Sequence, residues 1–91
     1  MGLDIRHLAA AHRFETTVDG FVCELDYHLD GGVMTITHTG VPEQVGGRGI
    51  AGELVRIALE TARREAWKIV PACSYAQVWM QRHPEFDDLR A

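Results

Sequence analysis

Residues 33–52 read VMTITHTGVPEQVGGRGIAG, and the hydrophobic period changes inside them. Val33 to Thr39 is rich in β-branched residues and reads as a strand. After Val41-Pro42 and a cluster of glycines, Ala51, Leu54, Val55, Ala58, Leu59, Ala62 and Ala66 recur at helical spacing. The opposite helix face carries Glu53, Arg56, Glu60, Arg63 and Arg64, with Glu60 and Arg64 placed for an i,i+4 ion pair in the favourable order. Lys68-Ile69-Val70 then reads as a short buried strand stopped by Pro71. Strand, glycine turn, helix and strand predict a right-handed βαβ crossover, with Ile69-Val70 parallel to Val33–Thr39.

Upstream of this unit the chain reads as strands. Residues 12–18 form a strand-like run ending at Asp19-Gly20, a two-residue hairpin signal. Phe21, Cys23, Leu25, Tyr27 and Leu29 then alternate with Val22, Glu24, Asp26, His28 and Asp30, so one face is apolar and the other mostly polar. Asp30-Gly31-Gly32 is a second turn, and residues 3–8 are a candidate further strand. Downstream, residues 74–82 can form a second helix that ends before Pro84. The expected fold class is α+β: an antiparallel meander extended by a βαβ unit, with a C-terminal helix.

Composition sets limits on function. The chain has 91 residues, 46% hydrophobic, and its net charge of −4 argues against a general nucleic-acid binder. A second core would have too few residues to bury its own apolar surface, so a single domain over 1–91 is expected. No apolar run approaches the roughly 20 residues of a membrane span. Met1 to His12 lacks the long apolar stretch of a signal peptide. Cys23 and Cys73 are far apart, show no zinc-site spacing, and form no disulfide framework; the expectation is a soluble cytoplasmic protein without a metal.

Gly46-Gly47-Arg48-Gly49-Ile50-Ala51-Gly52 lies between the strand and the amphipathic helix. Glycines there let successive backbone N–H groups approach an anion, and the helix N-terminus adds unpaired N–H groups and a positive dipole end. Arg48 supplies a charge. The same glycines also suit a flexible strand-to-helix turn, and spacing leaves both readings open. No Gly-Lys-Ser/Thr follows, which excludes a Walker A loop. Gly47 to Gly52 matches the dinucleotide pattern G-x-G-x-x-G, but it follows a meander, and no acidic residue stands about 20 positions on.

The loop is similar to the acyl-CoA pyrophosphate loop of the GNAT superfamily of N-acetyltransferases, Gln/Arg-x-x-Gly-x-Gly/Ala. Gly49 and Ala51 fit the last two fixed positions, and Gly46 departs from the first. More specifically, the chain resembles the small YjdJ-type branch through four motifs. These are His38-Thr39-Gly40-Val41-Pro42, the loop through Gly49-Ile50-Ala51, Pro71-Ala72-Cys73-Ser74-Tyr75, and Arg82-His83-Pro84-Glu85-Phe86. The resemblance runs from about Arg13 to Leu89 and implies a minimal GNAT-like fold. It also implies acetyl-CoA as cosubstrate, its pantetheine arm along the backbone of Thr39 to Val41, where the strand splays from its neighbour. The pyrophosphate would sit on the amides of Gly47 to Ala51, beside Arg48, so the implied cofactor-binding set is Thr39, Val41, Gly46, Gly47, Arg48, Gly49, Ile50 and Ala51.

The implied reaction is acetyl transfer to an amine, on a peptide or protein, by direct attack in a ternary complex. The alternative is a non-catalytic acyl-CoA-binding or protein-interaction module; a nucleotide-binding domain is a third. Many relatives carry a Tyr on the last helix that protonates the departing thiolate; here that position falls on Met80, and Tyr75 sits elsewhere. Two side chains remain as catalytic candidates. His38 ends the third strand, is expected on the face of Met34 and Ile36, and can accept an amine proton near neutral pH. Cys73 precedes a helix, whose dipole favours thiolate. The competing readings are a core-edge histidine and a small buried residue. Cys23 is assigned to the core, and Trp67 and Trp79 cap it. Partners expected are the amine acceptor alone, with no nucleic acid or membrane, and the protein as a monomer or weak homodimer.

Overall fold

The computed structural model describes residues 3–91. Five strands form one sheet in sequence order: β1 (Arg6–Leu8), β2 (Arg13–Val18), β3 (Phe21–Asp30), β4 (Val33–Gly40) and β5 (Lys68–Pro71). β1 to β4 pair antiparallel, and β5 lies parallel to β4 with Val33 opposite Lys68 and Ile36 opposite Pro71. Asp19 and Gly20 both have positive φ, 51° and 81°, the geometry whose twist matches the β2–β3 hairpin. The mixed α+β fold expected from the period change is therefore present, with α1 (Ile50–Glu65) as the crossover helix and α2 (Ser74–Gln81) after β5.

The alternation in β3 decides which face is inside. Cys23 and Leu25 are fully buried and Tyr27 nearly so, while Val22, His28 and Asp30 are exposed. The buried face meets Leu54, Val55, Ala58, Leu59 and Ala62 of α1. Among the described residues no helix covers the opposite sheet face, which carries Arg13, Glu15, Glu24 and Asp26, with Arg13 Nε 2.6 Å from Asp26 Oδ1. A short 3₁₀ segment, Pro84–Leu89, follows α2 and brings Phe86 and Leu89 back to the core.

Three local expectations are corrected. Lys68-Ile69-Val70 is not buried throughout: only Ile69 is, because β5 lies near the sheet's edge and its outer face is open. Beyond it, among the described residues, a single bridge from Ile69 to Arg90 continues the sheet. Glu60 pairs with Arg56 rather than Arg64; Arg56 donates to Glu53 Oε1 at 2.7 Å and to Glu60 Oε2 at 2.8 Å. Ala66 does not extend the buried helix stripe. It is exposed, at φ 62°, and its N–H bonds Arg63 O while the Trp67 N–H bonds Ala62 O at 2.8 Å. That is a left-handed helix stop built on alanine instead of glycine.

The most consequential local feature is a bulge in β4. Asp26 pairs with His38, but the next residue, Tyr27, pairs with Ile36. Thr37 is therefore the extra residue, and every side chain beyond it changes face.

Candidate functional site

β4 outruns β5. Their last paired residues are Ile36 and Pro71, after which the Cys73 N–H still reaches Ile36 O at 2.9 Å. There the chain turns into α2, while β4 continues through Thr37, His38 and Thr39 to Gly40. The parting of the two strands makes an opening between the end of β4 and the start of α2.

Cys73 stands at this opening as the residue that begins α2. Its Sγ is 3.7 Å from Thr39 Oγ1. Burial pushes the Cys73 thiol up. The Ala76 amide, the Thr39 hydroxyl and the amides of Tyr75 and Thr39 outweigh it, and the net effect holds the thiol below its ordinary value. The cause is directional: N–H groups at a helix start and a hydroxyl favour the anion. Cys23, by contrast, is fully buried, and burial pushes its thiol up.

The bulge separates the two catalytic candidates. The expectation that His38 shares a face with Met34 and Ile36 is overturned, because the inserted Thr37 rotates it to the open face of the sheet. There His38 lies beside Glu24, Nε2 to Oε2 3.2 Å, and its side chain is 56% exposed. Gly40 completes the arrangement: a Cβ on it would strike Glu24 Oε2 and lie 2.8 Å from His38 Nε2. The same rotation turns Thr39, opposite buried Leu25, to the inner face where it meets Cys73. His38 and Cys73 thus sit on opposite faces of β4.

The glycine loop leads from this opening to α1. A 3₁₀ turn, Glu43–Val45, buries Val45 and delivers the chain to Gly46. Gly47 and Gly49 both have φ 77°, which disfavours any L side chain, and a Cβ on either would meet nothing within 4 Å. The first helical bond of α1 runs from Glu53 N–H to Gly49 O, so the amides of Ile50, Ala51 and Gly52 have no partner within the helix. A cavity of about 250 Å³ lies here, lined by Val41, Gly46, Gly47, Gly49, Ile50, Ala51 and Tyr75.

Most of the expected binding set therefore meets in one place. Val41, Gly46, Gly47, Gly49, Ile50 and Ala51 line the cavity, and Thr39 faces Cys73 at the adjoining opening. The Arg48 side chain does not line it; its guanidinium donates to Asp19 Oδ2 at 2.8 Å, across to the β2–β3 hairpin. Met80, where the resemblance places an acid, is fully buried in the core. Tyr75, which the resemblance leaves without a role, lines the cavity. Its position two residues after Cys73, in the first turn of a helix facing the glycine loop, is the signal for it. The half-buried Trp79 stacks on His83, ring centroids 3.6 Å apart, consistent with a capping role.

An acyl-CoA fits these groups. Open space lies over Gly47 and Gly49, and the helix-start amides of α1 stand beside it. Among the described residues no three His, Cys, Asp or Glu side chains gather as a metal site, and no helix is long and apolar enough to cross a membrane.

Comparison with known proteins agrees with this geometry. A model of the GCN5-related N-acetyl-transferase family matches residues 13–89. Among solved structures, the chain is similar to the NMR solution structure of a GCN5-like protein from Staphylococcus aureus assigned as an N-acetyltransferase. The two are 27% identical with a TM-score of 0.77, over 98% of this chain and 88% of that one.

Proposed function

The chain belongs to the GCN5-related N-acetyltransferase family, and from that premise we propose that it transfers acetyl from acetyl-CoA to an amine on a peptide or protein, by direct attack with donor and acceptor bound together. The observation that carries this reading is the cavity at the start of α1, lined by the glycine loop together with Val41 from just beyond β4 and Tyr75 from α2. The motifs at His38–Pro42, Pro71–Tyr75 and Arg82–Phe86 favour the YjdJ-type branch within the family. We read residues 1–91 as one cytoplasmic domain acting as a monomer or weak homodimer, with neither nucleic acid nor membrane as partner.

Each part of the site has a task on this reading. The amides of Gly47 to Ala51 hold the pyrophosphate, helped by the positive end of α1. The β4 backbone from Thr39 to Val41 binds the pantetheine arm. Acetyl-CoA supplies the thioester carbonyl. Strand N–H groups in the opening polarise that carbonyl as the amine attacks. His38, steadied by Glu24, takes the amine proton from the open face of the sheet, while Cys73 serves the leaving thiolate from the inner face. A thiol held below its ordinary value gives up its proton more readily than a free cysteine. No helix of the described residues covers the open face, which suits an acceptor carried on a chain.

The fully buried Met80 favours the second reading, an acyl-CoA-binding module without turnover, because no acid stands at that position. Thiol release from acetyl-CoA with a broad panel of amines and peptides separates the two. Acceptor-dependent release with acetylated product supports the enzyme; CoA binding with no turnover supports the module.

A further inference from the structure

The cavity at the start of α1 is chemically lopsided. Gly46, Gly47 and Gly49 contribute no side chain, and Val41, Ile50 and Ala51 are apolar. Among the described residues that line it, Tyr75 is the one with a polar side chain, and it is 43% exposed. Arg48, the charged residue of the loop, is turned onto Asp19 instead. The Tyr75 hydroxyl is held close to the first turn of α1 because residue 52 is glycine. A Cβ on Gly52 would lie 3.4 Å from Tyr75 Oη, at the limit of ordinary contact, and 3.3 Å from Trp79 Nε1, tighter than that. The hydroxyl therefore stands beside the turn whose amides have no helical partner.

We propose that Tyr75 is a side-chain ligand of the acyl-CoA pyrophosphate, with Gly52 as its positioning residue. This rests on the acyl-CoA reading above and deepens it. A pyrophosphate presents acceptors on all sides, and the helix-start amides satisfy only the side facing α1. The phenol O–H is a donor that reaches from α2 without the cost of burying a charge. It supplies the donor side chain that Gly46 cannot.

Calorimetric titration with CoA, dephospho-CoA and pantetheine tests this. Tyr75→Phe should weaken CoA and dephospho-CoA alike, by roughly tenfold for one hydrogen bond to a charged group, and leave pantetheine unchanged. Gly52→Ala should weaken both nucleotides several-fold in the presence of Tyr75 and much less in the Tyr75→Phe background, because the added methyl acts through the hydroxyl. Equal affinities for wild type and Tyr75→Phe overturn the proposal and leave the acyl-CoA reading intact. So does a loss confined to CoA, which places the contact on the 3′-phosphate, or an equal loss on pantetheine, which reduces Tyr75 to a packing wall. If wild type binds CoA and dephospho-CoA no better than pantetheine, the pyrophosphate site itself fails, and the proposal with it.

Discussion

At Cys73 opposing influences meet, and their balance can be measured. Burial favours the thiol, while the Ala76 amide and the Thr39 hydroxyl lead the groups that favour the thiolate, and the thiolate gains. Thr39→Val removes one donor and should raise the midpoint of the pH dependence of Cys73 alkylation; an unmoved midpoint would detach Thr39 from the thiol. Cys73→Ser should keep CoA binding, lower turnover, and leave intersecting initial-rate lines, as direct transfer requires. An acetyl-thioester trapped on Cys73 that passes its acetyl to the amine at the turnover rate would overturn that mechanism. The pairing of Thr39 with Cys73 was not legible in the sequence. Thr37-His38-Thr39 is polar on both faces, so a one-residue slip leaves no mark on the hydrophobic pattern. No glycine announces the bulge either. Face assignments were sound where an apolar face existed, as in Phe21–Leu29, and failed at His38 where it ran out.

Among the elements, α1 carries both the site's anion end and a local strain. Its period was plain in the sequence, and Ile50–Glu65 matches the expected helix closely. Its end was harder to see, because alanine reads as helix former while the chain uses Ala66 in the left-handed region at φ 62°. Ala66→Gly relieves that conformation and should stabilise the protein by about 0.5–1 kcal/mol, net of the greater freedom of glycine in the unfolded chain. Chemical denaturation checks it, and a loss of stability would mean that the alanine stop is unstrained. At the other end, Gly49→Val imposes a β-branched side chain at φ 77° and fills space that nothing in the protein occupies. It should cost roughly 1–2 kcal/mol of stability and abolish the thermal upshift by CoA. An unchanged upshift in the folded variant would place the ligand elsewhere. The glycine string and its place before a helix were legible; Arg48's engagement with Asp19 was not, since it joins two turns distant in sequence.

Over the whole molecule, acid sensitivity should have an identifiable source on the β1 side. His7 Nε2 is 2.6 Å from the Tyr27 hydroxyl, and its ring stacks on Phe14 at 4.2 Å. Desolvation by these contacts lowers the His7 pKa from 6.5, opposed by Glu65 and aided by Arg64 and His12. The folded state therefore favours neutral His7. Its contribution is present above the unfolded value and is lost as pH falls from there through the folded value. The fall in melting temperature on acidification below about pH 6.5 should be shallower in His7→Gln. Equal slopes would assign the acid sensitivity to other groups.

The central claim is that the donor lies along one path, from the amides at the start of α1 through the β4–α2 opening to Cys73. Amide-resolved NMR titration with acetyl-CoA tests it most directly. The account predicts the largest shifts at Thr39, Val41, Gly47, Gly49, Ile50, Ala51 and Cys73, with the acetyl methyl close to the Cys73 side chain. Shifts centred instead on the smaller cavity lined by Asp4, Arg6, Glu15, Thr16 and Thr17, with the glycine loop silent, would contradict it.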